Sequence, residues 1–169
     1  MNKKLLMALD ALIVVVLLIL DQFTKHLAVA HLKDQPAIPI IKNVLELDYL
    51  ENHGVAFGML QNQTLFILLI GVLFMGVILF ILLKTPTGRK YTALHIILSC
   101  IIAGGIGNMI DRISYTYVID FISFVLIDFP IFNVADCYVV CATIALAFVF
   151  LFVLKEEDLD FISFRKKKE

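Results

Sequence analysis

Residues 65–83 read LFILLIGVLFMGVILFILL, an apolar run that contains no charged residue. A helix needs about 20 mostly apolar residues to cross the hydrocarbon core of a bilayer, so this run is predicted to be a membrane-spanning helix. Three further apolar stretches of similar length lie at about 5–27, 91–112 and 134–154. The sequence therefore predicts an all-α membrane protein with four transmembrane helices in a single domain, 1–169.

The composition of the 169-residue chain supports this fold class. Hydrophobic residues make up 61% of the chain and charged residues 17%, and the mean hydropathy is +0.96. A soluble domain is about half apolar and about a quarter charged. A chain this short cannot bury so many apolar side chains in its core, so lipid must cover the apolar surface that remains exposed. The formal net charge of −1 gives no reason to expect a nucleic-acid partner.

Lys and Arg indicate the orientation, because cytoplasmic segments of membrane proteins carry an excess of both. They precede the first span, lie between the second and third, and follow the fourth in the tail 165–168. The segment 113–136 has neither, and the segment 31–64 carries two lysines against four acidic residues. Both termini are therefore predicted to be cytoplasmic, with these two segments on the outer side.

The first span has an alternative interpretation as a cleavable signal peptide. Lysines precede its apolar core, and residues 28–30 (AVA) resemble a small-residue cleavage site. The gap between core and site is too long and too charged for that pattern, since it contains Asp21, Gln22, Lys25 and His26. We therefore interpret the segment as a retained helix.

The outer segment between the first two spans is predicted to be structured. Residues 40–50 alternate partly between apolar and polar types after Pro36 and Pro39, which is typical of one or two short strands. The many apolar residues of the segment favour a small extracytoplasmic sheet that lies on the membrane surface.

Polar groups at the outer ends of the spans are the functional candidates, because such groups are costly at membrane depth unless they are paired. Asp21 and Lys25 share a helix face at i,i+4, and a structural ion pair is the favoured interpretation. Residues 52–58 (NHGVAFG) precede the second span. Asn52 and Gly54 are either ordinary turn residues or contacts for an extended peptide.

A third polar cluster ends the third span. Three glycines within 104–107 favour close packing between helices. Asn108 and Arg112 share a face at i,i+4, and both are candidates to face a ligand. Asp111 and Arg112 are a candidate interfacial ion pair.

Asp120 and Asp136 are the candidate catalytic pair. Each is flanked by apolar residues, and no cation lies between them in the sequence. A turn residue and an acid at a helix N-terminus are the ordinary explanations, but neither accounts for both acids together. Two carboxylates in one apolar site cannot both ionise readily, so their pKa values separate. One then activates water while the protonated one polarises a carbonyl, which suits metal-free amide hydrolysis.

The three cysteines do not indicate a metal site or a disulfide framework. Cys100, Cys137 and Cys141 are odd in number and match no metal spacing. Too few oxygen ligands accompany the aspartates for a hard cation. We expect the cysteines to pack between helices.

Five short motifs resemble the bacterial lipoprotein signal peptidase (signal peptidase II) family in order and spacing. They extend over most of the chain, and each alone is weak. They are Asp21-Gln22-x-x-Lys25, Asn52-x-Gly54-x-Ala56-Phe57-Gly58, Gly107-Asn108-x-x-Asp111-Arg112, Val118-Ile119-Asp120-Phe121 and Phe132-Asn133-x-Ala135-Asp136.

The resemblance implies a function. This family cleaves the signal peptide of diacylglyceryl-modified prolipoproteins just before the lipidated cysteine, with an aspartate dyad and no cofactor or metal. The resemblance makes Asp120 and Asp136 the dyad. It implies substrate-binding or dyad-orienting roles for Asn52, Gly54, Asn108, Arg112 and Asn133, and supporting roles for Asp21, Lys25 and Asp111.

The resemblance also implies a setting and partners. We expect a monomer in the bacterial cytoplasmic membrane, in contact with membrane lipids and lipidated prolipoproteins, with its active site near the outer face. The outer sheet corresponds to the extracytoplasmic cradle of the family. Two rival functions are a proton-coupled transporter and a non-catalytic assembly module. A transporter is expected to carry acids near mid-bilayer, and an assembly module needs no carboxylate pair.

Overall fold

The computed structural model describes residues 2–54 and 59–162. Ala56, Phe57 and Gly58 of the second motif lie outside the described residues, as does the basic tail 165–168.

Four long helices dominate the described part of the chain, and each is long and apolar enough to cross a membrane. This confirms the predicted fold class. The helices are α1 (Lys3–Leu32), α2 (Thr64–Lys84), α3 (Thr92–Tyr115) and α4 (Val134–Phe152).

Helix α1 is longer than the span predicted at 5–27. Its 30 residues correspond to about 45 Å of helix, which exceeds a hydrocarbon core of roughly 30 Å. The last turn carries Ala28 and Leu32, which pack with Ile119 and Phe121 from a later segment. The extra length therefore supports structure beyond the membrane core.

Large apolar side chains cover the outer surfaces of the helices. Leu73 of α2 is 71% exposed and Leu151 of α4 is 74% exposed. Such surfaces are unfavourable in water and suit contact with lipid tails, where a helix satisfies its own backbone hydrogen bonds.

Helix α3 is the centre of the bundle, because it packs against α1, α2 and α4. Its glycines make that packing close. A Cβ atom at Gly104 would lie 2.5 Å from the carbonyl oxygen of Ala135 in α4, and one at Gly107 would lie 2.5 Å from Asp21 Oδ2 in α1. The glycine cluster therefore brings the starts and ends of three helices together at one end of the bundle.

A three-stranded antiparallel sheet lies at that end, in the order β1-β2-β3. Strands β1 (Ile38–Ile41) and β2 (Leu45–Asn52) lie between α1 and α2, as predicted. Strand β3 (Val118–Ser123) comes from the segment between α3 and α4 and pairs with β2. The predicted small sheet between the first two helices is therefore present, and β3 adds a third strand to it from the segment between α3 and α4. The apolar residues of β3 are buried on both faces, so they show no alternation that marks a strand.

Candidate active site

Asp120 lies in the middle of β3, opposite Leu50 of β2. Its side chain is almost fully buried. Because strand neighbours alternate sides, the sheet fixes the direction in which this carboxyl points.

Asp136 is the third residue of α4, and a capping box fixes it there. The Asn133 side chain accepts a hydrogen bond from the Asp136 amide at 3.0 Å, and Asp136 Oδ2 accepts one from the Asn133 amide at 3.1 Å. The sequence Asn-x-x-Asp thus starts the helix and orients the carboxyl in one step.

Asn133 also joins the two aspartates. Its Nδ2 donates to Asp120 Oδ1 at 2.6 Å and to Asn108 Oδ1 at 3.1 Å. The middle of β3 and the start of α4 therefore meet at one buried asparagine. The two predicted catalytic carboxyls face the same site.

Two more asparagine amides complete the contacts of the pair. Asn52 Nδ2 donates to Asp120 Oδ2, and Asn108 Nδ2 donates to Asp136 Oδ1, both at 2.8 Å. Each carboxyl oxygen of the two aspartates thus accepts a hydrogen bond from a neutral N–H group. Within residues 2–54 and 59–162, no cation forms a salt bridge with either aspartate.

The surroundings of Asp120 favour its protonated form. Burial, and after it the negative charge of Asp136, raises the pKa of Asp120 from 3.8 to about 7. The hydrogen bonds from Asn52 and Asn133 lower the pKa of Asp120, but burial outweighs them. Asp120 can therefore hold a proton near neutral pH.

Arg112 holds the turn that carries Asn52. Its Nη2 donates to the Gly54 carbonyl at 2.8 Å and its Nη1 to the Asn108 carbonyl at 3.2 Å. The Gly54 amide in turn donates to Asn52 Oδ1 at 3.0 Å. Because that oxygen is occupied, the amide nitrogen of Asn52 faces Asp120.

Asp111 has a different partner from the one considered in the sequence. It forms an ion pair with Lys25 at 2.9 Å, so the expected pair between Asp111 and Arg112 was wrong. Arg112 is close in sequence, but its guanidinium reaches backbone carbonyls across the helix end. The predicted pair between Asp21 and Lys25 is confirmed, at 3.0 Å and almost fully buried.

A cavity of about 770 Å³ opens beside the aspartates, within the size range of ligand pockets. Its polar lining residues include Asp120, Asp136, Asn52, Asn108 and Arg112. The rest of the lining is largely apolar and includes Phe124, Ile127, Phe129, Ile131, Phe132 and Val140. The cavity therefore has a mainly apolar lining, and both carboxyls form part of its wall.

Sequence reasoning did not identify two polar features. Gln22 Nε2 donates to Asp111 Oδ1 at 3.0 Å and so ties α1 to α3. Asp10 and His95 form a buried contact of 2.8 Å between the same helices. A lone acid in the first apolar run and a lone histidine in the third were the available signals. No group of three His, Cys, Asp or Glu side chains placed for a metal occurs among the described residues.

The chain is similar to known proteins along most of its length. The family model for signal peptidase (SPase) II matches residues 13–152. The lipoprotein signal peptidase of Caldanaerobacter subterraneus subsp. tengcongensis is 43% identical over 141 residues, which cover 83% of this chain and 94% of that protein. That of Clostridium tetani is 41% identical over 155 residues, which cover 90% and 96%.

Two solved structures of bacterial membrane enzymes share the fold. Both are 26% identical in sequence to this chain, with TM-scores of 0.74 and 0.75. The first match covers 96% of this chain and 94% of the other, and the second covers 87% and 95%. The protein is thus a multi-pass bacterial membrane protease. The chain belongs to the signal peptidase II family.

Proposed function

We propose that the protein is a membrane aspartic endopeptidase that removes signal peptides from diacylglyceryl-modified prolipoproteins by cleaving before the lipidated cysteine. The observation that carries the proposal is the meeting of Asp120 and Asp136 at Asn133, on the wall of an apolar cavity. The names of the relatives, which are lipoprotein signal peptidases, support the substrate class.

In this proposal the aspartate pair carries one proton and acts as acid and base together. The ionised carboxylate takes a proton from a water molecule, whose oxygen attacks the scissile carbonyl. The protonated carboxyl donates its hydrogen bond to that carbonyl as the negative charge develops. Collapse of the tetrahedral intermediate breaks the C–N bond. The carboxyl that took the proton from water then passes it to the leaving amine.

The three asparagine amides orient the pair without removing its proton. Asn52 and Asn133 hold Asp120, and Asn108 holds Asp136. Arg112 and Gly54 fix the turn behind Asn52. Arg112 also lines the cavity, and in this proposal it meets the extended substrate backbone there, with Gly54 behind it. No metal or cofactor takes part in the proposed reaction.

The proposed setting follows from the charge pattern and the apolar cavity. Both termini lie in the cytoplasm, and the sheet and the dyad lie near the outer face of the membrane. The lipid chains of the substrate remain in the bilayer beside the apolar wall, so the scissile bond arrives at the interface. The enzyme acts as a monomer surrounded by lipid.

The direct test is cleavage of a defined substrate by the purified protein in lipid nanodiscs. A diacylglyceryl-modified prolipoprotein should yield a product whose N-terminus is the lipidated cysteine, as measured by mass spectrometry. The matched control is the same prolipoprotein with the cysteine replaced by serine, which carries no lipid and should stay intact. Absence of cleavage, or cleavage at another bond, would contradict the proposal. A transporter or an assembly module would leave both substrates intact.

A further inference from the structure

A buried cation lies behind the aspartate pair. Lys25 of α1 is about 1% exposed, and its Nζ contacts Asp21 Oδ2 at 3.0 Å, Asp111 Oδ2 at 2.9 Å and Asn108 Oδ1 at 2.9 Å. An ammonium group has three N–H donors, so these three acceptors use all of them. Lys25 therefore has no donor left for a substrate.

The two carboxylates that Lys25 joins hold the backbone on either side of the site. Asp21 Oδ1 accepts a hydrogen bond from the Ala135 amide at 3.0 Å. Asp111 Oδ2 accepts one from the Ile119 amide at 3.2 Å. Ala135 directly precedes Asp136, and Ile119 directly precedes Asp120. Each carboxylate thus anchors the residue next to one member of the pair.

The third contact of Lys25 fixes a side chain of the site. Asn108 Oδ1 accepts hydrogen bonds from Lys25 and Asn133. The amide nitrogen of Asn108 must then point the other way, toward Asp136 Oδ1 at 2.8 Å. Rotation of this amide by 180° would place a donor against the ammonium group.

From these contacts we propose that Lys25 is a positioning residue that sets the separation of Asp120 and Asp136, by clamping the anchors Asp21 and Asp111 to each other. The inference rests on the proposed function of the aspartate pair. It gives the buried ion cluster a role in turnover rather than in membrane insertion or stability alone. Catalytic groups must be held closely, since a misplacement of about 1 Å costs on the order of 10²-fold in rate.

The test separates turnover from substrate binding. Lys25→Met keeps an unbranched apolar stem of about the same length and removes the ammonium group. We expect kcat to fall by about 10-fold or more, with KM for a lipidated prolipoprotein within about 2-fold of wild type, because the cavity wall is untouched. Lys25→Met combined with Asp21→Asn should be little worse than the worse single variant, because both break the same clamp.

The matched control is a second buried polar contact between α1 and α3, the one between Asp10 and His95. Asp10→Asn disrupts the contact with His95 and should lower the melting temperature while kcat, measured well below that temperature, stays at the wild-type value. An equal loss of kcat in Asp10→Asn and Lys25→Met would show that Lys25 is only structural. A folded Lys25→Met protein with wild-type kcat would overturn the proposal.

A second variant covers the case in which Lys25→Met does not fold, since it leaves two acids buried. Lys25→Met with Asp21→Asn and Asp111→Asn removes all three charges but keeps a side-chain oxygen for each backbone amide. It should fold and show the same loss of kcat. Wild-type kcat in this variant, or its failure to fold, would reject the positioning role. Active Asp120→Asn or Asp136→Asn proteins would instead refute the proposed function.

Discussion

Asp120 is held at both carboxyl oxygens by asparagine amides, and its side chain is almost fully buried. Burial raises the pKa of this carboxyl from its ordinary value of 3.8 to about 7. Ionisation of Asp120 is therefore easier in the unfolded chain than in the folded one. The stability of the protein should depend on pH for this reason.

The sign of that dependence can be tested with Asp120→Asn. Below about pH 4 both states of the wild type bind the proton, so the pKa shift has no effect. As pH rises toward 7 the unfolded state loses the proton first, and the wild type loses stability. The difference in melting temperature, Asp120→Asn minus wild type, should therefore increase between pH 4 and pH 8. A difference that is constant or that decreases would contradict the raised pKa.

Arg112 permits a second test at the scale of one side chain. Arg112→Ala removes the donor that holds the Gly54 carbonyl, so Asn52 loses its fixed orientation toward Asp120. We expect turnover of lipidated prolipoprotein to fall about 10-fold or more, with the melting temperature within a few degrees of wild type. Arg89→Ala is the control, since Arg89 is exposed at the other end of α3. Full activity of Arg112→Ala would show that Arg112 has no role in turnover.

At the scale of elements, hydropathy was sufficient to predict the four helices, because lipid selects long apolar runs. It was not sufficient for β3. Val118–Ser123 is buried on both faces and pairs with a strand that lies far away in sequence. Neither a period of two nor a local partner was available to reveal it.

The glycines of α3 give a test of element packing. Gly107→Ala would place a Cβ atom 2.5 Å from Asp21 Oδ2, and Asp21 cannot move freely because Lys25 and the Ala135 amide hold it. We expect destabilisation of about 1–3 kcal/mol and reduced turnover. Gly76→Ala in α2 meets nothing within 4 Å and should be neutral or slightly stabilising. Equal melting temperatures for the two variants would show that α1 and α3 are not packed this closely.

At the scale of the whole molecule, the sheet joins the two segments that the charge pattern places outside. β2 and β3 are paired, so both segments lie at the same end of the bundle. Topology can be tested by labelling single cysteines in a variant that lacks Cys100, Cys137 and Cys141. A cysteine at exposed Lys42 or Leu126 should react with an impermeant reagent from the outer side, and one at Arg89 should not. The reverse labelling pattern would show that the orientation in the membrane is opposite to the predicted one.

The site was predictable from sequence to the extent that its residues recur in short motifs. Asp21 with Lys25, and Asn133 with Asp136, are three or four residues apart, so helix geometry alone indicates that each pair meets. The partner of Asp111 was not predictable in this way, because Lys25 lies on another helix. Neither was the contact between Asp10 and His95. Contacts between helices depend on rotation and register, which a single sequence does not specify.

The central claim is that Asp120 and Asp136 form one catalytic unit. Its most direct test is cleavage of a diacylglyceryl-modified prolipoprotein by purified Asp120→Asn, Asp136→Asn and the double variant, with folding checked by thermal melt. Each single variant should be slower by about 10²-fold or more, the usual contribution of a positioned acid or base. The double variant should be little worse than the worse single variant, because groups that act as a unit are not additive. A well-folded single variant that cleaves at near wild-type rate would contradict the account.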